Sequence, residues 1–260
     1  MSRKQSKSTR LANARNAAER AAAIRKEQEV RERRRRTLTV TVVLVSLVAL
    51  FAIGYAVQSS RDTTGQLATP PSGVVGRYAV PHGEATAPVR ISVYEDFMCP
   101  FCGQFEAESR ETLATYVEQG DVRVEYHLIS FLDSASNGTD YSTRAMNALG
   151  VVLDDAGPEV AKKFHDLLFD NQPEEGSDGL SDTELIDFAV QAGATESDVA
   201  GPIESLKFDA WVKNATDAAS KDDVSTTPTV LVDDELLDFE TIDELLAEVK
   251  KAVDSSLSER

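Results

Sequence analysis

The residues most capable of chemistry in this sequence are Cys99 and Cys102, the only two cysteines of the chain. They are separated by Pro100 and Phe101 in a C-x-x-C pattern. A secreted scaffold stabilised by disulfides would carry more cysteines at wider spacing. A bridge across two residues closes too short a loop to stabilise a fold by much. We therefore interpret the pair as chemical rather than structural.

The surrounding residues predict how such a pair would work. A strand pattern at 88–97 runs into Cys99, and Pro100 suits the first position of a helix, so Cys99 is predicted at the N-cap. The partial positive charge and free N–H groups of a helix start favour the thiolate, which is the form that attacks a disulfide. Cys102, one turn further on, is predicted to resolve the mixed disulfide.

Metal sites also use the C-x-x-C pattern, and we expect none here. Zinc usually takes four ligands. The three histidines are scattered along the chain, at His82, His127 and His165. The residue after the second cysteine is Gly103, so the haem-attachment pattern C-x-x-C-H is absent.

Two alternatives of other classes remain open. One is a membrane-tethered copper protein that binds through Cys99, Cys102 and Met98, because soft sulfur ligands suit Cu(I). The other is a non-catalytic domain that docks a partner through an acidic helical face.

A second segment of interest is Thr227-Pro228, directly before the β-branched run Thr229–Val232. A Thr-Pro step at the start of a strand is a natural place for a cis peptide bond. A trans proline that merely begins an edge strand is the alternative.

The elements that would position these residues follow an α/β order. Predicted strands cover 78–80, 88–97, 122–128 and 229–232. Predicted helices cover 99–118, 140–153, 158–169, 182–192, 208–219 and 241–253. Ser181 and Glu184 form a capping-box pattern before the fourth of these helices. The fold class is therefore α/β, with a domain at 74–260 and a helical insertion at about 135–222.

The N-terminal part predicts a membrane anchor. Residues 37–57 are uncharged, and as a helix they would span roughly 31 Å, about the thickness of a hydrocarbon core. Arg33–Arg36 precede this run, so the positive-inside rule places 1–36 in the cytoplasm and the rest outside. Residues 58–73 are polar and serve as a linker. A cleaved signal peptide is the competing interpretation, although both its parts would be long for that class.

Charge is distributed unevenly along the chain. Residues 1–36 carry a balance of +9 and the remainder −26. A body this acidic repels phosphate backbones, so we expect no nucleic-acid partner. The basic tail is expected to rest on the anionic headgroups of the lipid bilayer.

Several segments together resemble the DsbA-like branch of the thioredoxin superfamily. They are 96–102 (DFMCPFC), 163–169 (KFHDLLF), 171–174 (NQPE) and 227–229 (TPT). The resemblance implies a thioredoxin fold interrupted by a helical domain, with Thr227 and Pro228 in a cis-proline loop that faces the cysteines and presents the Thr227 backbone to a substrate peptide. It also implies extracytoplasmic disulfide exchange with exported cysteine-containing proteins, a membrane redox partner, and no cofactor beyond the Cys99–Cys102 disulfide.

The sequence departs from this family at one point. These proteins often carry an acidic residue six positions before the first cysteine, where this chain has Val93. Glu95 is on the same strand face and is the candidate replacement, with a solvent-exposed strand end as the alternative. Asp96 is a second candidate for tuning the pair, or is simply exposed.

The direction of exchange depends on the relative stability of the thiol and disulfide forms. Pro100 and Phe101 are expected to tune that balance, but neither is the histidine that strongly oxidising relatives carry between their cysteines. We expect oxidative folding, and reductase or isomerase activity remains the alternative.

Overall fold

The computed structural model describes residues 68–259. The predicted tail at 1–36, the predicted span at 37–57 and most of the predicted linker therefore lie outside the described residues. Between residues 68 and 259, none of the helices has the length and hydropathy that a bilayer crossing requires.

A five-stranded sheet lies at the centre of the described domain. The strands are β1 (Val80–His82), β2 (Val89–Glu95), β3 (Val122–Leu128), β4 (Thr229–Val232) and β5 (Glu235–Leu236). Their order across the sheet is β1-β3-β2-β4-β5. Strands β2 and β3 are parallel, and the other neighbours are antiparallel. The central strand β2 leads directly to Cys99.

Seven α-helices accompany the sheet within the described range. They are α1 (Pro100–Glu118), α2 (Tyr141–Ala156), α3 (Pro158–Asp170), α4 (Asp182–Ala192), α5 (Glu196–Glu204), α6 (Asp209–Lys221) and α7 (Ile242–Ser258). Five of them, α2 to α6, follow one another between β3 and β4. The mixed α/β architecture with a helical insertion is thus confirmed.

Burial explains why the central strands form where they do. Val89, Ile91 and Val93 are fully buried in β2, and each contributes about 1.5–3 kcal/mol when removed from water. β3 alternates buried and half-buried residues along its whole length, because it presents one face to the core. Helix α1 packs against both α3 and α7. The helix that carries the cysteines is therefore held from two sides.

Three short elements were not predicted from the sequence: a 3₁₀ helix at Asp133–Ala135, helix α5 and strand β5. Helix α5 contains Gly201 and Pro202 in its last turn, and both residue types disfavour a helical interior. Strand β5 follows the tight turn of Asp233 and Asp234, whose φ values are 47° and 71°. Such a two-residue hairpin turn usually carries Gly or Asn, so its sequence signal was weak.

Other element bounds differ from the prediction by a few residues. Strand β1 begins at Val80 rather than Tyr78. The capping box of α4 is confirmed, because Ser181 Oγ accepts from Glu184 N and Glu184 Oε2 accepts from Ser181 N at 2.8 Å. The end of the predicted linker contacts the domain, since Ser72 N donates to Asp154 Oδ1 at 2.8 Å.

Candidate active site

Cys99 is the N-cap residue of α1, as the sequence predicts. Its backbone is extended, with φ −76° and ψ 116°, and Pro100 occupies the first helical position. The backbone N–H of Gly103 donates to the carbonyl oxygen of Cys99 at 3.1 Å. The Cys99 sulfur therefore lies at the positive end of a 19-residue helix.

Hydrogen bonds to the Cys99 sulfur favour its ionised form. The side chain of Cys102 contributes the most. Partial burial opposes ionisation, and the side chain of Thr227 and the backbone N–H groups of Cys102 and Phe101 add to the lowering. Together they lower the pKa of Cys99 to about 6. A thiol with this pKa is mostly thiolate at neutral pH and is a ready nucleophile.

Cys102 has the opposite character. It is fully buried, whereas Cys99 is 5% exposed. Burial, the hydrogen bond with Cys99 and the negative charges of Cys99 and Glu95 all raise the pKa of Cys102 well above its usual range. Both cysteines are free thiols in this structure. The pair therefore combines one reactive and one protected sulfur.

The proline loop lies directly beside the reactive sulfur. The peptide bond between Thr227 and Pro228 is cis, which confirms that expectation. The Cys99 thiol donates to the carbonyl oxygen of Thr227, with a distance of 3.4 Å between sulfur and oxygen. Residues 128 positions apart in the chain are thus brought together.

An open groove extends from this loop. It has a volume of about 870 Å³ and is lined by residues from α1, β4, β5 and the loop before α7. Two large apolar side chains at its wall face solvent, Phe101 at 63% exposure and Leu236 at 60%. Phe101, predicted to tune the cysteines, is therefore positioned to contact a bound chain.

Asp96 is buried rather than exposed, so the exposed alternative is wrong. Its carboxylate accepts hydrogen bonds from Met98 N at 2.9 Å, Leu132 N at 2.9 Å and Ser142 Oγ at 2.6 Å. Burial nevertheless raises the pKa of Asp96 to about 6. The side chain ties the turn before Cys99 to the start of the helical insertion.

Glu95 is also fully buried, and a solvent-exposed strand end is likewise wrong. Its Oε1 lies 2.6 Å from Nε2 of His165 on α3. Burial and the nearby carboxylate of Glu106 raise the pKa of Glu95 well above its usual range. Its charge is in turn one of the influences that raise the pKa of Cys102, so Glu95 stays the candidate replacement for the displaced acidic residue.

Three site residues were missed by the sequence interpretation: Glu106, His165 and Gln172. Gln172 Nε2 donates to the carbonyl oxygens of Phe97 at 3.1 Å and Cys99 at 2.9 Å, and so holds the backbone of the cysteine turn. Glu106 and His165 could have been identified from the sequence, because each is a polar residue on the face of its helix that is otherwise apolar and buried.

Comparisons with known proteins agree with this geometry. Residues 77–251 match the family model described as Thioredoxin. The serine/threonine-protein kinase PknE of Mycobacterium tuberculosis is 35% identical over 115 residues, which are 43% of this chain and 20% of the kinase. This chain thus spans only about a fifth of that kinase's length.

Two further proteins match over more of their length. Disulfide bond formation protein D of Bacillus subtilis is 24% identical over 65% of this chain and 74% of its own. The crystal structure of reduced DsbA from Mycobacterium tuberculosis is 30% identical, with a TM-score of 0.57, and the match covers 70% of this chain and 98% of that one. The chain therefore belongs to the thioredoxin family, among its DsbA-like thiol–disulfide oxidoreductases.

Proposed function

We propose that this protein exchanges disulfides with exported cysteine-containing proteins and acts mainly as their oxidant. The observation that carries the proposal is the Cys99 thiol of lowered pKa, placed beside the Thr227 carbonyl at one end of an open groove. An extended peptide could pair with the Thr227 backbone as an added strand while its cysteine meets Cys99. The disulfide itself is the only redox group required.

The oxidising cycle begins with the Cys99–Cys102 disulfide. A substrate thiolate attacks the Cys99 sulfur, and Cys102 leaves as a thiolate that takes up a proton. A second substrate thiolate then attacks the substrate sulfur of the mixed disulfide, and Cys99 leaves as a thiolate. Two electrons pass from the substrate to the protein. A membrane redox partner would accept them when Cys99 attacks its disulfide and Cys102 resolves the intermediate.

The electrostatics of Cys99 support the oxidant over the reductase or isomerase. The interactions that lower its pKa act on the thiolate, which exists only when the internal disulfide is open. They therefore stabilise the reduced protein relative to the disulfide form, which makes the protein a stronger oxidant. The Pro100-Phe101 sequence between the cysteines does not by itself distinguish an oxidant from a reductase or isomerase.

Localisation follows from the N-terminal sequence. We propose that residues 37–57 form a single-pass anchor, with the basic tail at the cytoplasmic headgroups and the catalytic domain outside. Disulfide exchange with exported proteins requires an oxidising compartment, which agrees with this topology.

The redox potential of the full chain in detergent micelles, equilibrated with glutathione, tests the direction. We expect a value above the roughly −270 mV of thioredoxin, because the pKa of Cys99 is about one unit below the roughly 7 of the thioredoxin cysteine and each unit corresponds to about 30 mV. A value at or below about −270 mV would make the protein a reductase.

Trapping of substrates tests the exchange itself and the roles of the two cysteines. Cys102→Ser should accumulate mixed disulfides with exported proteins, because no thiol remains to resolve them. Cys99→Ser is the matched control and should accumulate few. Equal trapping by the two variants would contradict the assigned roles.

A further inference from the structure

Three buried titratable side chains meet behind the cysteine pair, each from a different element. Glu95 comes from the end of β2, Glu106 from α1 and His165 from α3. One carboxylate oxygen or ring nitrogen from each side chain lies within 4.8 Å of the corresponding atoms of the other two. Glu95 Oε2 and Glu106 Oε1 have no hydrogen-bond partner within residues 68–259. Unsatisfied buried polar atoms destabilise a fold, so packing alone does not explain them.

The proposed cycle requires a proton at a buried sulfur. Cys102 is fully buried, yet it must lose a proton when the internal disulfide forms and regain one when that disulfide opens. Solvent does not reach the sulfur, so a protein group must carry the proton. Glu95 is the carboxylate whose charge acts on Cys102, but it is itself fully buried and needs an outlet.

His165 connects Glu95 with the surface. Its Nε2 lies 2.6 Å from Glu95 Oε1, and its Nδ1 lies 3.5 Å from Asp166 Oδ1. The side chain of Asp166 is 25% exposed, pairs with Lys162, and lines a cavity of about 170 Å³. The two ring nitrogens of one histidine thus face a buried acid on one side and a solvent-accessible acid on the other.

We propose that His165 relays the proton of Cys102 between Glu95 and Asp166, an inference that rests on the proposed disulfide exchange. When the internal disulfide forms, the Cys102 S–H bond breaks, its electron pair enters the new bond to Cys99, and the partner's thiolate leaves. Glu95 is protonated, because burial raises its pKa, so it gives its own proton to Nε2 of His165 as it takes up the proton from Cys102. The ring releases the proton on Nδ1 to Asp166 and water. The reverse sequence protonates Cys102 when the disulfide opens.

The protonation states of the relay groups agree with this direction. Burial lowers the pKa of His165 to about 4, so the ring is neutral at pH 7 and can accept at one nitrogen while it donates at the other. Although burial opposes it, the nearby ring of His165 and the charge of Lys162 lower the pKa of Asp166. Asp166 is therefore ionised and can receive a proton that it passes on to water.

Other groups around the ring will shape its pH dependence. Those near the ring are Glu106 and Arg110 (α1), Tyr126 (β3) and Lys162 (α3). His82 (β1) lines the cavity beside Asp166. Burial raises the pKa of Glu106 to about 7. The relay rate should therefore change near neutral pH as Glu106 ionises, because its Oε2 is 3.9 Å from His165 Nδ1.

The same three side chains offer ligand atoms for a metal ion, but the geometry favours a proton. Glu95 Oε1 and His165 Nε2 are already 2.6 Å apart. A cation bound by both would have to separate them and break that hydrogen bond. Proton transfer between the two side chains, in contrast, takes place along this hydrogen bond.

The test separates the two thiol steps in the full chain. The reduced protein is mixed with oxidised glutathione, quenched with acid, and the mixed disulfide at Cys99 is followed by mass spectrometry. In His165→Gln we expect attack by Cys99 to keep its rate, resolution by Cys102 to slow at least tenfold, and the change in rate near neutral pH to disappear. In His165→Ala, added imidazole should restore resolution, because it can enter the vacated space.

His127→Gln is the matched control, since His127 is a half-buried histidine that stacks on Tyr94 away from the cluster. It should resolve at the wild-type rate. Wild-type resolution in His165→Gln, or slowing by the same factor in both glutamine variants, would overturn the relay. So would stoichiometric zinc retained by the full chain after its thiols are alkylated. Failure of the wild-type protein to exchange at all would instead refute the proposed function.

Discussion

The hydrogen bond from Cys102 is the largest influence that lowers the pKa of Cys99 to about 6, and Cys102→Ala removes its donor. A hydrogen bond to a charged group contributes about 1.5–3 kcal/mol, and each pKa unit corresponds to about 1.4 kcal/mol. The variant should therefore raise the pKa of Cys99 by about one to two units, to about 7–8.

The consequence at neutral pH is large. A thiol of pKa about 6 is roughly nine-tenths thiolate at pH 7, whereas one of pKa 7–8 is between about a half and a tenth. Cys102→Ser is the matched control, because its hydroxyl keeps a donor at the same place in the fold. Its Cys99 should stay within about half a unit of the wild-type pKa.

Both variants leave Cys99 as the only cysteine of the chain, so the signal has one source. The pKa is read from the thiolate absorbance near 240 nm and from the pH dependence of alkylation by iodoacetamide. A pKa of Cys99 that stays at about 6 in Cys102→Ala would refute the role of the Cys102 donor. The N–H groups at the helix start and the Thr227 side chain would then be sufficient to lower the pKa. Equal increases in both variants would point to altered packing instead of the lost donor.

Further predictions concern the support of the site and the topology. Gln172→Leu removes two hydrogen bonds to the cysteine turn and should lower the free energy of unfolding of the reduced protein by about 1–3 kcal/mol in urea, while an unchanged midpoint would contradict that role. Asp96→Ala leaves three donors unpaired and should destabilise the fold by at least about 2 kcal/mol, measured in the same way. A reporter enzyme that is active only outside the cytoplasm, fused after Arg260, should be active; activity of a cytoplasmic reporter there would overturn the topology.

Much of the site could be predicted because its determinants are local in the chain. Strand, Cys99, Pro100 and Cys102 follow one another directly, so the helix start and the spacing of the thiols are visible in a short segment. Thr227-Pro228 is equally compact. Its position beside Cys99 is not a local property, and it came only from the resemblance to a family.

The rest depends on contacts between distant residues. Whether Glu95 is exposed or buried cannot be decided from β2 alone, because α3 covers it with His165, 70 positions later. The same holds for Asp96, whose partners lie in the loop after β3 and at the start of α2. In the sequence, His165 was considered only as one of three scattered histidines and as part of the 163–169 segment of the family resemblance, since its neighbours predict an ordinary amphipathic helix.

These contacts give the helical insertion a direct part in the chemistry. It supplies His165 against Glu95, Gln172 against the carbonyl oxygens of the cysteine turn, and Ser142 against Asp96. Without the insertion, two buried carboxylates would lose hydrogen-bond partners and Cys99 would lose a constraint on its backbone. Unpaired buried acids in a low-dielectric interior are unfavourable and become protonated. The reactivity of the pair is therefore a property of the sheet and the insertion together, and changes at the insertion's contacts with β2 should alter exchange even where both cysteines are intact.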